Sequence, residues 1–232
     1  AQYISRMDFV AYRDNFSYEW ALSKGLEKNS VRAFDLAFLF PELVPGNSIS
    51  ETSNQIGISL LPWRHQKGAG TLEGDLDFAR NVGISLRKVT KDTKHRVTFF
   101  SLCLNPASDD RLMATSFAEG FGEEGLTLFQ HNGDPIRTYE EIKRTGHFIS
   151  MRLHGSILAF TGGVPFLQLE YHQKCSDFAE TIGLSDQQRL KLFDFDPSDF
   201  EQKAKSLLNQ SSNTLQTDLA DLKARAMKNF WL

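Results

Sequence analysis

From residue 55 onward the chain alternates short apolar runs with longer segments of helical period, and no other feature of the sequence restricts its fold as strongly. QIGISLL (55–61), RVTFFSLCL (96–104), GLTLFQ (125–130), HFISM (147–151), PFLQLE (165–170) and RLKLFDF (189–195) read as strands. Runs that short and that apolar belong to strands covered on both faces. Between them, Leu72 to Thr90 carries apolar residues at 72, 76, 79, 82, 86 and 89, one stripe of a helix. Asp109 or Asp110 can cap a helix reaching Glu119, and Thr138–Arg144, His154–Gly162 and Gln173–Ile182 predict further helices, the last closed by Gly183. Asp196-Pro197-Ser198 opens another, and Leu215, Leu219, Leu222 and Ala226 form a final apolar stripe. Six strands separated by helices predict an α/β fold with a doubly wound, mostly parallel, Rossmann-like sheet and right-handed crossovers.

The first 45 residues read differently. A helix from Tyr12 to Leu22 ends at Lys24-Gly25, and VRAFDLAFLF (31–40) reads as a strand running into a loop. Pro41, Pro45, Gly46 and the polar SISETSNQ then make a plausible linker, so residues 1–45 are expected to form an entry segment ahead of a main domain at 46–232. The chain starts at Ala1 without an initiator Met, which leads to the expectation of processing or of a piece excised from a longer protein.

Charge and cysteine content narrow the function. A net charge of -3 with a pI near 6.1 gives no basic footprint for nucleic acid or an anionic membrane, so a small anionic ligand would need local cations. Two cysteines, Cys103 and Cys175, cannot build a disulfide framework; they read as ordinary buried thiols and point to a reducing, cytoplasmic setting. Neither C-x-x-C nor H-E-x-x-H is present, so the sequence calls for no metal, and no apolar run reaches membrane-spanning length.

Open α/β sheets bind ligands at the carboxyl ends of their strands. Of the segments placed there, MRLHGS (151–156) carries the most chemistry. In extended chain Arg152 and His154 project to the same side, and Gly155 and Ser156 open a helix whose free amides favour an anion. Arg can grip a carboxylate or phosphate through two parallel hydrogen bonds, and His can carry a proton near neutral pH. Spacing alone equally allows Arg152 to pair with a structural carboxylate and His154 to bond a carbonyl. Lys174 at the start of a helix opposes the helix dipole, a misfit that a bound anion would relieve. GAGTLEG (68–74) matches no phosphate-binding glycine motif and reads as a loop, with Arg64, His65 and Lys67 just before it in reach of an anion. HNGDP (131–135) reads as a turn.

ISMRLHGSILAFTGGVPFLQLEYHQKCSDFAETIGL (149–184) resembles the C-terminal motif of the polysaccharide pyruvyl transferase family: a strand, Arg-Leu-His, a small-residue helix, Gly-Val-Pro, a second strand, and Lys ahead of a Phe-containing helix. VAYRDNFSYEWALSKGL with VRAFDLAF is similar to the family's Arg-Asp-x-x-Ser helix and Asp-x-Ala-Phe strand end, and GISLLPW to its Gly-x-Ser strand. The resemblance implies the C-terminal half of a GT-B-like fold and transfer of a pyruvyl group from phosphoenolpyruvate to two hydroxyls of a cell-surface polysaccharide sugar, leaving a ketal. The implied partners are phosphoenolpyruvate and a glycan or lipid-linked sugar acceptor, with no cofactor beyond the donor. Arg152, Gly155 and Ser156 would hold the donor, His154 would move the proton or bind phosphate, and Lys174 and Arg13 would add charge. Leu61 stands where the resemblance leads one to expect an Arg, leaving two options: Arg64 substitutes, or the donor is held more weakly. Two other readings compete: a GT-B glycosyltransferase using a nucleotide-sugar donor, and a non-catalytic anion-binding or assembly domain.

Overall fold

The computed structural model describes residues 3–44, 53–66, 68–210 and 218–230. The chain enters through β1 (Val10–Tyr12), α1 (Asn15–Ser23) and β2 (Ser30–Arg32), and the two strands pair in parallel with Val10 opposite Ser30. Tyr12, Ala21 and Leu26 form a small apolar cluster of their own here. The helix expected from Tyr12 starts three residues later because Tyr12 belongs to β1 and the Asp14 side chain caps the helix by accepting from the Ser17 amide.

VRAFDLAFLF does not continue as a strand beyond Arg32. Asp35 accepts from the Ala37 amide and caps a 3-10 turn, Leu36–Leu39, that runs into α2 (Phe40–Leu43), with Pro41 in its first turn. Phe34, Ala37 and Phe38 fall at helix-like spacing and turn inward together. The linker residues 45–52, Lys67 and Leu215 lie outside the described residues.

The main sheet is built from β3 (Gln55–Ser59), β4 (Arg96–Ser101), β5 (Leu126–Gln130), β6 (His147–Ser150), β7 (Phe166–Glu170) and β8 (Arg189–Lys191). All pairings are parallel and the order is β5-β4-β3-β6-β7-β8, so the strand order reverses between β3 and β6. The helices are α3 (Trp63–Gln66), α4 (Leu72–Thr90), α5 (Asp110–Phe121), α6 (Pro135–Lys143), α7 (Leu153–Thr161), α8 (Gln173–Thr181), α9 (Pro197–Leu208) and α10 (Leu219–Met227). One of these boundaries departs from expectation through a local cap. Asp134 accepts from the Ile136 and Arg137 amides, so α6 starts at Pro135 and not at Thr138. RLKLFDF keeps strand geometry only through Lys191.

Alternating strand residues feed two cores. Ile56, Ile58, Val97, Phe99, Ile149 and Leu167 meet α4, α5 and α9 on one face, while Phe100, Phe148 and Phe166 meet α6, α7, α8, α10 and the 3-10 turn on the other. Each such side chain withdrawn from water contributes roughly 1.5–3 kcal/mol. The second face is close-packed beside the strand-order reversal. A Cβ on Gly57 would come within 2.3 Å of the Phe148 ring, and one on Gly155 within 2.4 Å of the Ser150 hydroxyl. Among the described residues no helix is long and apolar enough to cross a membrane.

Candidate functional site

At the reversal, Ser59 of β3 lies opposite Ser150 of β6, and their hydroxyls are 3.0 Å apart. The Ser150 hydroxyl donates to the Arg152 carbonyl at 2.7 Å, which turns the chain out of the sheet at once. Extended geometry therefore ends at Arg152, and Leu153 is already the first residue of α7. The two-residue spacing that places Arg152 and His154 side by side on a strand does not apply here. Both nevertheless border one cavity of about 250 Å³, because one immediately precedes α7 and the other stands in its first turn.

Arg13, at the end of β1, and Lys174, near the start of α8, border the same cavity, so four basic side chains from three segments converge. Leu102, Cys103, Leu153 and Tyr171 supply the apolar part of the wall. Arg64 is not among the lining residues. The short α3 turn lays its guanidinium over the Trp63 and Phe78 rings, 3.9 Å from Asp75, whose carboxylate also accepts from the Arg64 and His65 amides. Leu61 is buried in the α4-side core, and Arg64 faces Asp75 and the two rings.

Arg152 is held firmly. Its Nε lies 3.2 Å from both Asp110 oxygens, and its Nη2 reaches Asp110 at 2.5 Å and the Ser108 carbonyl and hydroxyl at 2.8 and 2.7 Å. Asp110 is completely buried and also accepts from the Leu102 and Cys103 amides at 3.0 Å. Burial pushes its carboxyl above the ordinary value, against the pull of Arg152 and the two amides. Nη1 of Arg152 makes no hydrogen bond among the described residues, so one edge of the fork is open to a ligand.

Helix α7 opens without a side-chain cap, leaving its first-turn amides and positive dipole end at the cavity. The Gly155 amide belongs to that turn. The Ser156 amide does not contribute, because it already donates to the Arg152 carbonyl at 3.2 Å and its side chain is buried. Lys174 leans over the Tyr171 ring at 5.6 Å, and its amide donates to His172 Nδ1. Burial is the main reason that the Tyr171 phenol is pushed up to about 12, with Cys175 and Asp110 nearby adding to it.

His154 is 63% exposed, and its Nε2 is 3.5 Å from Asp35 Oδ2; Arg13 Nη1 approaches the same oxygen at 3.4 Å. Burial works to raise the Asp35 carboxyl, but hydrogen bonds from His154 and the Ala37 amide, together with the charges of His154 and Arg13, hold it below the ordinary value. Sequence reasoning missed Asp35 as a site residue, and the signal was there: an Asp set inside the apolar Phe34, Ala37, Phe38 cluster. It likewise missed Tyr171 and the Ser59–Ser150 pair. Cys103 is half-buried at the cavity wall and not an ordinary core thiol, whereas Cys175 is fully buried and burial pushes its thiol up to about 11. Among the described residues no group of three or more His, Cys, Asp or Glu could hold a metal ion.

Such an arrangement can hold an anion and place an imidazole beside it. The fold matches known sugar-processing enzymes of the GT-B type. A Methanocaldococcus jannaschii UDP-GlcNAc 2-epimerase solved with UDP-GlcNAc and UDP superposes with a TM-score of 0.63 at 10% identity over 96% of this chain. A Thermobaculum terrenum O-GlcNAc transferase superposes with a TM-score of 0.51 at 17% identity over 97% of this chain. The chain spans 60% and 41% of the length of those two proteins, and at these identities the likeness shows the fold alone, that of one Rossmann-like half of a GT-B enzyme. No curated protein matches the sequence. The polysaccharide pyruvyl transferase family does match it, over residues 1–173, which include Arg13, Asp35, Arg152 and His154. On that match, the chain belongs to the polysaccharide pyruvyl transferase family.

Proposed function

We propose that the cavity binds phosphoenolpyruvate and that the protein transfers its pyruvyl group to two hydroxyls of a glycan or lipid-linked sugar in the cytoplasm, the setting that two free thiols favour. The observation that carries this reading is the convergence of Arg13, Arg152, His154 and Lys174 with the uncapped start of α7 at the strand-order reversal. The donor carries a phosphate and a carboxylate. The free edge of Arg152 and the first-turn amides of α7 take one, and Lys174 or Arg13 takes the other.

A proton delivered to the methylene carbon turns the central carbon into a cation-like centre, which a sugar hydroxyl attacks. The carbon–oxygen bond to phosphate then breaks, and a second hydroxyl closes the ketal. Of the two hydroxyl protons released, one balances the new methyl group and one leaves on phosphate. His154 is the proton carrier, since it is the imidazole at the cavity and is free to exchange with solvent.

The test is phosphate release from phosphoenolpyruvate by the full-length protein with candidate glycan acceptors. His154→Ala and Lys174→Met should each lower the rate at least tenfold with the fold intact, and undiminished release from both would remove them from the reaction. Thermal shift separates the competing donor class: stabilisation by a uridine nucleotide and not by phosphoenolpyruvate would replace this reading with glycosyl transfer. Donor binding without turnover would leave a binding domain.

A further inference from the structure

We propose that Asp35 is a positioning residue of the site: its carboxylate ties Arg13 of the entry segment and His154 of α7 to one oxygen, so that the 3-10 turn at 36–39 fixes where the proton carrier stands. The proposal rests on the reading of the cavity as the donor site. Asp35 itself is buried at 8% exposure and borders a small crevice next to the cavity.

Its two oxygens have separate tasks. Oδ1 accepts from the Ala37 amide at 3.0 Å, which holds the carboxylate plane against the turn. Oδ2 faces the two basic groups, Arg13 Nη1 at 3.4 Å and His154 Nε2 at 3.5 Å. The turn is anchored beneath by Phe34 and Phe38, whose rings lie 4.6 Å apart, with Phe38 packed on Phe160 of α7. A rigid base therefore carries the one acceptor that His154 meets; His154 makes no other hydrogen bond among the described residues. Without Asp35, a 63%-exposed imidazole in the first turn of a helix has nothing to choose its rotamer. A carboxylate on one ring nitrogen selects the tautomer and aims the other nitrogen, the arrangement known from catalytic and metal-bound histidines.

The other charged groups around the pair are Asp14 beside Arg13, Lys174 and Asp177 on α8, and Arg152 at the start of α7. Arg225 of α10 lies across the Phe34 ring. Asp177 is already engaged by the Asn15 amide and does not take the place of Asp35, and the Arg152 charge is taken up by Asp110.

Asp35→Asn keeps an oxygen for the Ala37 amide and removes the negative charge from the two basic groups. In the full-length protein the ring 15N signals of His154, identified by their loss in His154→Ala, should move in Asp35→Asn and stay in place in Asp177→Asn. This arm reads the pairing whether or not phosphate is released, so its failure is distinct from failure of the pyruvyl-transfer reading. Kinetically, Asp35→Asn should lower kcat for phosphate release roughly 10- to 100-fold, the factor that corresponds to losing one charge-assisted hydrogen bond. Asp35→Asn/His154→Ala should be no slower than His154→Ala alone. Should Asp35→Asn fail to fold, His154→Ala reads the pair from its exposed side: the Asp35 carboxyl, followed by 13C NMR, should titrate higher. Unmoved ring signals, losses that multiply in the double variant, or an Asp35 carboxyl indifferent to His154 would each overturn the proposal.

Discussion

Replacing Arg152 by Ala tests whether the guanidinium at the cavity holds up the fold as well as facing a ligand. The variant leaves Asp110, which has no solvent exposure, without its cation. Removing one member of a buried pair costs about 3–5 kcal/mol. Two features put this case at the low end of that range. Asp110 keeps the Leu102 and Cys103 amides at 3.0 Å, and the Arg152 side chain is 19% exposed, so water enters the space it leaves. About 3 kcal/mol corresponds to a fall in Tm of roughly 6–12 °C for a chain of this size.

The sign of the pH dependence follows from burial. Burial already raises the Asp110 carboxyl in the wild type, and without Arg152 the rise is larger, so the folded variant takes up a proton that the unfolded chain releases. The stability deficit of the variant should therefore shrink as pH falls from 7 toward 4. The measurement is a set of urea or thermal melts, followed by circular dichroism, of wild type and variant at several pH values. A variant that melts within about 1 °C of wild type at pH 7, or whose deficit grows on acidification, would refute the account of Arg152 as the buried counter-charge. It also follows that activity lost in Arg152→Ala is no clean measure of ligand contact, whereas the exposed His154 gives one.

Three further outcomes follow from the structure. Gly155→Ala puts a Cβ 2.4 Å from the Ser150 hydroxyl and 3.1 Å from the Phe148 ring, so it should cost about 1–3 kcal/mol in denaturant melts and weaken phosphoenolpyruvate binding by pushing α7 off the sheet. In the native protein an aromatic disulfide reagent at pH 8 should modify Cys103 and spare Cys175, whose thiol lies up at about 11, and phosphoenolpyruvate should slow the reaction at Cys103. Burial lowers both His95 and His147, whose rings lie 5.9 Å apart, so the folded state binds fewer protons than the unfolded chain below the ordinary value of 6.5. Stability should then fall as pH drops from 7 to 5, and a His95→Gln/His147→Gln variant should flatten that slope in thermal melts.

The sheet was readable because a strand buried on both faces has few options: RVTFFS packs apolar side chains into both cores, and QIGIS sends Ile56 and Ile58 into one and sets Gly57 against Phe148 on the other. The elements misplaced in sequence reasoning are those where one polar side chain overrides an apolar pattern. Asp35 caps a turn inside an apolar run, and Asp134 draws α6 forward to Pro135. At the site, Arg152 and His154 were identified from a spacing rule for extended chain, although helix geometry starts between them. What brings both to the cavity is the position of the strand end, and that position was legible. Contacts between distant segments were not. Asp35 meets His154, and Asp110 meets Arg152, across more of the chain than any local pattern spans. Arg64 turns to Trp63, its neighbour in sequence, and to Phe78 and Asp75 of α4, contacts that its place beside a glycine-rich loop does not announce.

The Ser59–Ser150 contact also says when the site comes into being during folding. Those two hydroxyls are 91 residues apart in the chain, and closing so long a loop is slow compared with forming any helix that flanks it. Until β3 and β6 pair, α7 can be helical and Asp109 can cap α5, yet no cavity exists for Arg152 and His154 to share. Competence to bind an anion is therefore acquired late. A phosphate-bearing ligand would recognise only the finished molecule and draw the last step of folding toward it.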